Sequence, residues 1–226
     1  NDVANAIFDG SDAIMLSGET AMGNYPVEAV ATMARIAQKA EGSMKYGTKL
    51  DSQTEPERVN ITNAISLAAC ATAAELNTAC ICTITQSGFT ARMIAKHRPV
   101  CPIVAGTPNE RAWRQMNLIW GCKSLHYEGD LPKGGVFDAV MKIAERSGLV
   151  NNGDTVVLAM GMPVGVSGAT NTLRVDIVGD ILCKGTGTGT KKASGRARVI
   201  KVRDDMEHTF QKGDILVTTA TDNSVM

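Results

Sequence analysis

The chain predicts an α/β fold in which a mostly parallel sheet carries helices on both faces. Three observations lead there. The apolar runs Ala79–Ile84, Pro102–Gly106 and Asp154–Met160 read as compact buried strands. Segments with apolar residues at helical spacing separate them. Alternation of this kind, strand then helix, is the signature of a parallel sheet with crossover helices.

Composition narrows the partners. The 226 residues carry 23 basic and 23 acidic side chains, a formal net charge of zero. With no dense Lys/Arg block, nucleic acid and anionic membranes are not expected as main partners. No apolar run approaches the roughly 20 residues that span a bilayer, so a soluble, cytoplasmic protein is expected. Cysteines 70, 80, 82, 101, 122 and 183 form no CxxC pair and no zinc spacing with His97, His126 or His208. They read as buried, reduced thiols, and no metal site is predicted. No signal-peptide pattern opens the chain, which starts at Asn1-Asp2 as if in mid-sequence.

In order, Asp2 caps a short helix with Val3, Ile7 and Phe8 on its apolar side and Gly10 as its stop. Ala13–Leu16 reads as a fully apolar strand and Ser17-Gly18-Glu19-Thr20 as the loop after it. Tyr25-Pro26 introduces a helix with Met33, Ile36, Ala40 and Met44 inward and Arg35, Lys39, Glu41 and Lys45 outward. Residues 51–57 are a polar link. Ile61, Ile65, Ala68, Ala69, Thr72 and Leu76 then mark an amphipathic helix. After the strand at 79–84 come a helix with Ala91, Met93 and Ile94, closed by Arg98-Pro99, and the strand at 102–106. A helix from Thr107-Pro108 carries Trp113 and Met116, and Lys123–Tyr127 is a third strand. Val136, Phe137, Val140, Ile143, Ala144 and Ser147 share a helix face before the strand at 154–160, and Leu173–Val178 is a fifth strand. Gly185–Thr190, alternating Gly and Thr, reads as a linker. Gly195–Ile200 and Gly213–Thr218 are short β segments, and His208 between them reads as a surface residue.

Two stretches suit a ligand. Thr85-Gln86-Ser87-Gly88-Phe89-Thr90 lies where a strand turns into a helix, at the carboxyl edge where open α/β sheets bind. Its hydroxyls and first-turn amides suit a phosphate. Helix capping alone uses the same residues, and spacing does not separate the two. Gly161–Asn171, with Gly161, Pro163, Gly165, Gly168 and Thr170, allows close backbone approach to a ligand at the same edge, as any mobile glycine loop would.

Residues 2–6, 9–10, 14–21, 23 and 25–30 resemble the end of the pyruvate kinase barrel. Thr85, Ser87, Gly88 and Thr90 match that family's T-x-S-G-x-[ST] effector-phosphate turn, and Thr170–Thr172 with Arg174-Val175 resembles the exit of its effector loop. The resemblance covers nearly all of the chain. It implies a last βα unit of a (β/α)₈ barrel at 1–46, a regulatory α/β domain at 47–183, and at 184–226 a linker with the small β-rich start of a phosphohistidine-type swivelling domain. It implies that both ends are cut, because a complete barrel takes about 250 residues. The family's catalytic Lys and Thr and its Mg²⁺ and K⁺ ligands precede this stretch, so no catalytic residue is carried over. Ser17, Gly18 and Glu19 stand at the ligand end of the last barrel strand, facing the nucleotide side or simply holding their loop. Gln86 departs from the Lys or Glu of mammalian members, and the glycine loop lacks their Trp-Arg pair. A sugar monophosphate or nucleotide therefore suits the site as well as fructose 1,6-bisphosphate. The implied role is the regulatory part of a homotetrameric phosphotransferase, inactive alone. The alternatives are a free-standing phospholigand-binding module and a purely structural assembly domain.

Overall fold

The computed structural model describes residues 2–44, 60–128, 135–163, 170–179, 193–200 and 211–218. The link at 51–57, the run at 185–190, Lys45, Gly165, Gly168, Cys183 and His208 lie outside them. The chain divides into two units, Asn1–Ile181 and Leu182–Met226.

The first unit opens with three helices, α1 (Asp2–Phe8), α2 (Gly18–Ala21) and α3 (Pro26–Glu41). α1 and α2 both pack on α3. Pro26 suits the first position of α3, where no amide bond is lost. The structure corrects two expectations here. Ala13–Leu16 forms no strand, because a strand exists only through a neighbour's N–H and C=O groups and none pairs with it among the described residues. Ser17–Thr20, expected as a loop, carries the start of α2.

Next comes α4 (Ile61–Glu75), whose capping residue Asn60 accepts the Asn63 amide at 2.7 Å through Oδ1. Its inward face differs from the expected one. Thr62, Ser66, Ala69, Cys70 and Ala73 are buried, whereas Ile61 is 69% and Leu76 44% exposed. The helix is apolar nearly all round, so hydrophobicity alone does not choose a face. Small side chains do, by letting the helix come close to α5 (Phe89–Ala95), β4 (Thr155–Gly161) and β5 (Thr170–Ile177).

The remaining elements alternate: β1 (Cys80–Ile84), α5 (Phe89–Ala95), β2 (Ile103–Thr107), α6 (Glu110–Met116), β3 (Cys122–His126), α7 (Val136–Arg146), β4 (Thr155–Gly161) and β5 (Thr170–Ile177). They form one sheet in the order β3-β2-β1-β4-β5. β1 pairs in parallel with β2 (Ile81 opposite Ile103) and with β4 (Cys80 opposite Val156), and β2 pairs in parallel with β3. β5 is antiparallel to β4, with a register shift at Met160/Gly161. Period-two alternation splits the core in two. Ile81, Ile103, Ala105, Val157 and Ala159 face α4, α5 and the end of α6. Cys80, Cys82, Ile84, Val104, Val156, Leu158 and Met160 face α7. The expected arrangement, a mostly parallel sheet with helices on both faces, is what forms.

In the second unit β6 (Ala197–Val199) and β7 (Ile215–Val217) form a parallel pair. The Asp214 carboxylate accepts from Arg198 Nε at 2.9 Å and from the Gln211 amide at 3.1 Å.

The five described cysteines are unpaired, four of them buried and Cys122 half-buried. Burial pushes the Cys70 and Cys122 thiols up to about 12, and Cys82 is raised first by its bond with Cys80 and then by burial. Thiolates, the reactive form, are therefore scarce at Cys70, Cys82 and Cys122. Iodoacetamide labelling of Cys70, Cys82 and Cys122 in the native chain should be at least about tenfold slower than in denaturant. Peptide mass spectrometry checks this, and equal rates would contradict the burial described.

Candidate functional site

From β1 the chain runs outward through β2 to β3, then returns to the other side of β1 as β4. Strand order therefore reverses between β1 and β4. In open α/β sheets the crevice beyond the carboxyl ends at such a reversal is the ligand site. Residues 85–90 leave β1 at that point, and residues 161–163 leave β4, the neighbouring strand.

Local bonding fixes the turn. The Thr85 amide donates to the Gly106 carbonyl at 3.0 Å, extending the β1–β2 ladder by one residue. Thr85 Oγ1 accepts the Gly88 amide at 3.1 Å, which leaves its own proton for another acceptor. Gly88 takes φ +76° and caps α5, and a Cβ there would lie 2.8 Å from Met116 Cγ. Glycine is required on both counts, conformation and space. Gln86 and Ser87 are exposed at the tip. Arg92, one turn into α5, folds back so that Nη2 donates to the Ser87 carbonyl at 3.3 Å. A positive charge thus stands over a turn whose own side chains are neutral.

Thr90 and Thr170 tie the two segments together. Their hydroxyls lie 2.9 Å apart, both buried. The base of the second segment is closed by Asn171, whose side-chain amide accepts from Met162 N at 2.9 Å and donates to Met162 O at 2.7 Å. Gly161, Pro163 and Thr170 therefore belong to a framed exit from the sheet.

Ser17, Gly18 and Glu19 do something else. The Glu19 carboxylate accepts the Ser17 amide at 3.0 Å, and the Thr20 hydroxyl donates to the Ser17 carbonyl at 3.3 Å. Bonds from its own and the Ser17 backbone amide hold the Glu19 carboxyl below its usual range. These bonds are local and hold the first turn of α2. Among the described residues no group of three or more His, Cys, Asp or Glu side chains is arranged to hold a metal ion.

Sequence reasoning singled out Thr90 and Thr170 without seeing that they bond each other. It missed Arg92 and the Asn171 clamp. A basic residue four positions after Gly88 on a helix was a legible signal for the first. For the second, an Asn at the end of a loop was the only hint.

Fold and site together define an open α/β domain with a polar ligand crevice at its strand-order reversal. Comparison with known proteins makes this specific. The model of the pyruvate kinase alpha/beta domain matches residues 63–176, and that of the pyruvate kinase barrel domain matches residues 1–30. The chain belongs to the pyruvate kinase family. Over all 226 residues it is 44% identical to a pyruvate kinase of Geobacillus stearothermophilus, and it spans 38% of that protein. It is 41% identical to a pyruvate kinase of Sporosarcina psychrophila (39% of that protein) and 40% identical to one of Bacillus licheniformis (38%). The chain thus spans less than half the length of the relatives it matches.

Replacing one hydroxyl of the Thr90–Thr170 pair strands the other without a partner. Thr90→Val should cost about 1–3 kcal/mol, and Thr170→Val added to it should restore part of that loss. Urea unfolding followed by circular dichroism tests the pair, and an undiminished midpoint for Thr90→Val would show that the bond contributes nothing.

Proposed function

We propose that this chain is the regulatory part of a pyruvate kinase, an enzyme that moves the phosphoryl group of phosphoenolpyruvate to ADP, giving pyruvate and ATP. In this reading residues 1–46 are the last βα unit of the catalytic barrel and 47–183 the effector domain. Residues 184–226 are then the linker and the start of the swivelling domain. Mg²⁺ and K⁺ serve the parent enzyme's chemistry, with no ligands assigned in this chain. The parent enzyme is a cytoplasmic homotetramer.

The observation that carries the proposal is the bond between Thr90, in the 85–90 turn, and Thr170, at the start of β5, beside the strand-order reversal. An effector phosphate on the turn accepts from the Thr85 and Ser87 hydroxyls, with the Arg92 charge close by. In this reading the segment from Gly161 to Thr170 is the effector loop. The barrel-domain match over 1–30 favours this over a free-standing module. Gln86 adds no charge, so selection among phosphorylated ligands rests on the rest of the molecule, a sugar phosphate or a nucleotide. Binding that favours one of two quaternary states shifts the tetramer toward it.

Calorimetry with fructose 1,6-bisphosphate, a sugar monophosphate and ATP should detect binding to the chain. A hydrogen bond to a charged group contributes about 1.5–3 kcal/mol, so Ser87→Ala should weaken that binding roughly tenfold or more. Binding that ignores the substitution would move the site elsewhere. A lactate dehydrogenase-coupled assay with phosphoenolpyruvate, ADP, Mg²⁺ and K⁺ should show no turnover by the chain alone. Turnover would overturn the assignment of a purely regulatory role.

A further inference from the structure

β1 carries two cysteines, Cys80 and Cys82, separated by one residue. Side chains two apart on a strand leave the same face, so both point toward α7, on the side of the sheet away from Ile81. Their sulfurs lie 3.3 Å apart and share a hydrogen bond. The pairing is specific. Cys70 Sγ donates instead to the Ile94 carbonyl at 3.7 Å, and Cys101 Sγ lies 3.8 Å from Thr78 Oγ1, both on the opposite side of the sheet.

Geometry permits a covalent bond between Cys80 and Cys82. A strand rises about 3.2–3.4 Å per residue, so Cα atoms two apart stand about 6.4–6.8 Å from each other, at the long end of the span a disulfide bridges. The surroundings also select against larger partners. Both cysteines have 0% exposure, walled by Val156 and Leu158 on β4, Val104 on β2, and Val140 and Ala144 on α7. A glutathionyl or metal adduct has to displace that packing, whereas a direct S–S bond removes two hydrogens and adds no atom.

The two thiols differ in character. The bond with Cys82 holds the Cys80 thiol below its ordinary range, against burial and the Asp154 carboxylate, which push it up. The same bond raises Cys82, as do burial and the neighbouring Cys80 and Cys101. Cys80 is thus the nucleophile of the pair, and Cys82 the thiol that resolves.

We infer that Cys80 and Cys82 form an oxidisable dithiol, which a hydroperoxide converts to a disulfide within β1. The Cys80 thiolate attacks one peroxide oxygen, the O–O bond breaks, and the departing hydroxide takes up the proton that Cys80 gave up. The Cys82 sulfur then displaces the oxygen of the Cys80 sulfenic acid, which leaves as a second water with the Cys82 proton. Two thiols lose two electrons and two protons, and hydrogen peroxide becomes two waters. Local opening of α7 from β1 admits the oxidant.

The test uses the whole 226-residue chain, reduced, freed of reductant and exposed to hydrogen peroxide. Remaining thiols are alkylated in denaturant, and tandem mass spectrometry reads the peptide that spans Cys70, Cys80 and Cys82. Cys80 and Cys82 should escape alkylation together, lighter by two hydrogens, with Cys70 alkylated. The bridge should form at least about tenfold faster than Cys70 or Cys122 is oxidised, and dithiothreitol should reverse it. Cys82→Ser keeps a hydroxyl donor beside Cys80 but cannot bridge, so oxidation should stop at a sulfenic acid on Cys80 that dimedone traps. Cys80→Ser should slow oxidation of Cys82 by about tenfold or more. Cys80 and Cys82 remaining thiols while Cys122 is oxidised would overturn the proposal. So would a bridge from either of them to another cysteine, or sulfinic acid on Cys80 with Cys82 intact. These readings come from the unsubstituted chain and stand even if a serine variant folds poorly.

Discussion

The position of β1 is the constraint on which the rest depends. Every residue of this strand is buried, with strands paired on both edges and helices on both faces. Ile81 packs toward α4 and α5 while Cys80, Cys82 and Ile84 pack toward α7. A side chain such as Ile81 contributes about 1.5–3 kcal/mol on burial, and such terms hold the strand in one register. A segment fixed on four sides holds its end still. The polar turn that follows can therefore be short, with little packing of its own, and still keep three hydroxyls in place. Binding groups set on loops and positioned by a rigid scaffold follow the same logic.

A different chemistry operates where the N-terminal helices meet the α/β domain. The contacts described there are polar and planar: a guanidinium over an indole, an indole N–H on a carboxylate, and an arginine–aspartate pair. Lysine would not replace Arg98. Its ammonium can ion-pair, but it lacks the flat delocalised face that stacks on Trp120 and the spread of donors that serves a carbonyl and a carboxylate together. The left-handed backbone at Arg98 costs about 1 kcal/mol or more, and the contacts of its side chain offset it. Hydrophobic seams resist sliding through lost area. A seam of directed bonds allows alternative pairings.

Much of the sheet was legible in the sequence, because strands buried on both faces are continuous apolar runs whatever their neighbours. That same property misled at Ala13–Leu16, which has the composition of a strand and no partner beside it among the described residues. Pairing is non-local and composition does not report it. The antiparallel sense of β5 was hidden for the same reason. The face of α4 was hidden by its uniformity, since Ile61 and Leu76 outrank Thr62 and Ser66 in hydrophobicity but lose on size. At the site, the turn was legible as a pattern of residue types. Its wiring was not: Thr90 bonds a residue 80 positions away, and Arg98 one 88 positions away.

The Asn171 side chain, bonded to both backbone groups of Met162, seals the neck of the segment between β4 and β5 independently of what lies in it. The cost of closing a loop rises only slowly with its length, by about 0.6 kcal/mol per doubling. Behind such a neck, residues can be inserted, deleted or exchanged with little penalty to the sheet. Evolution is then free to rewrite the stretch between Met162 and Asn171 while the scaffold of β4 and β5 is inherited unchanged.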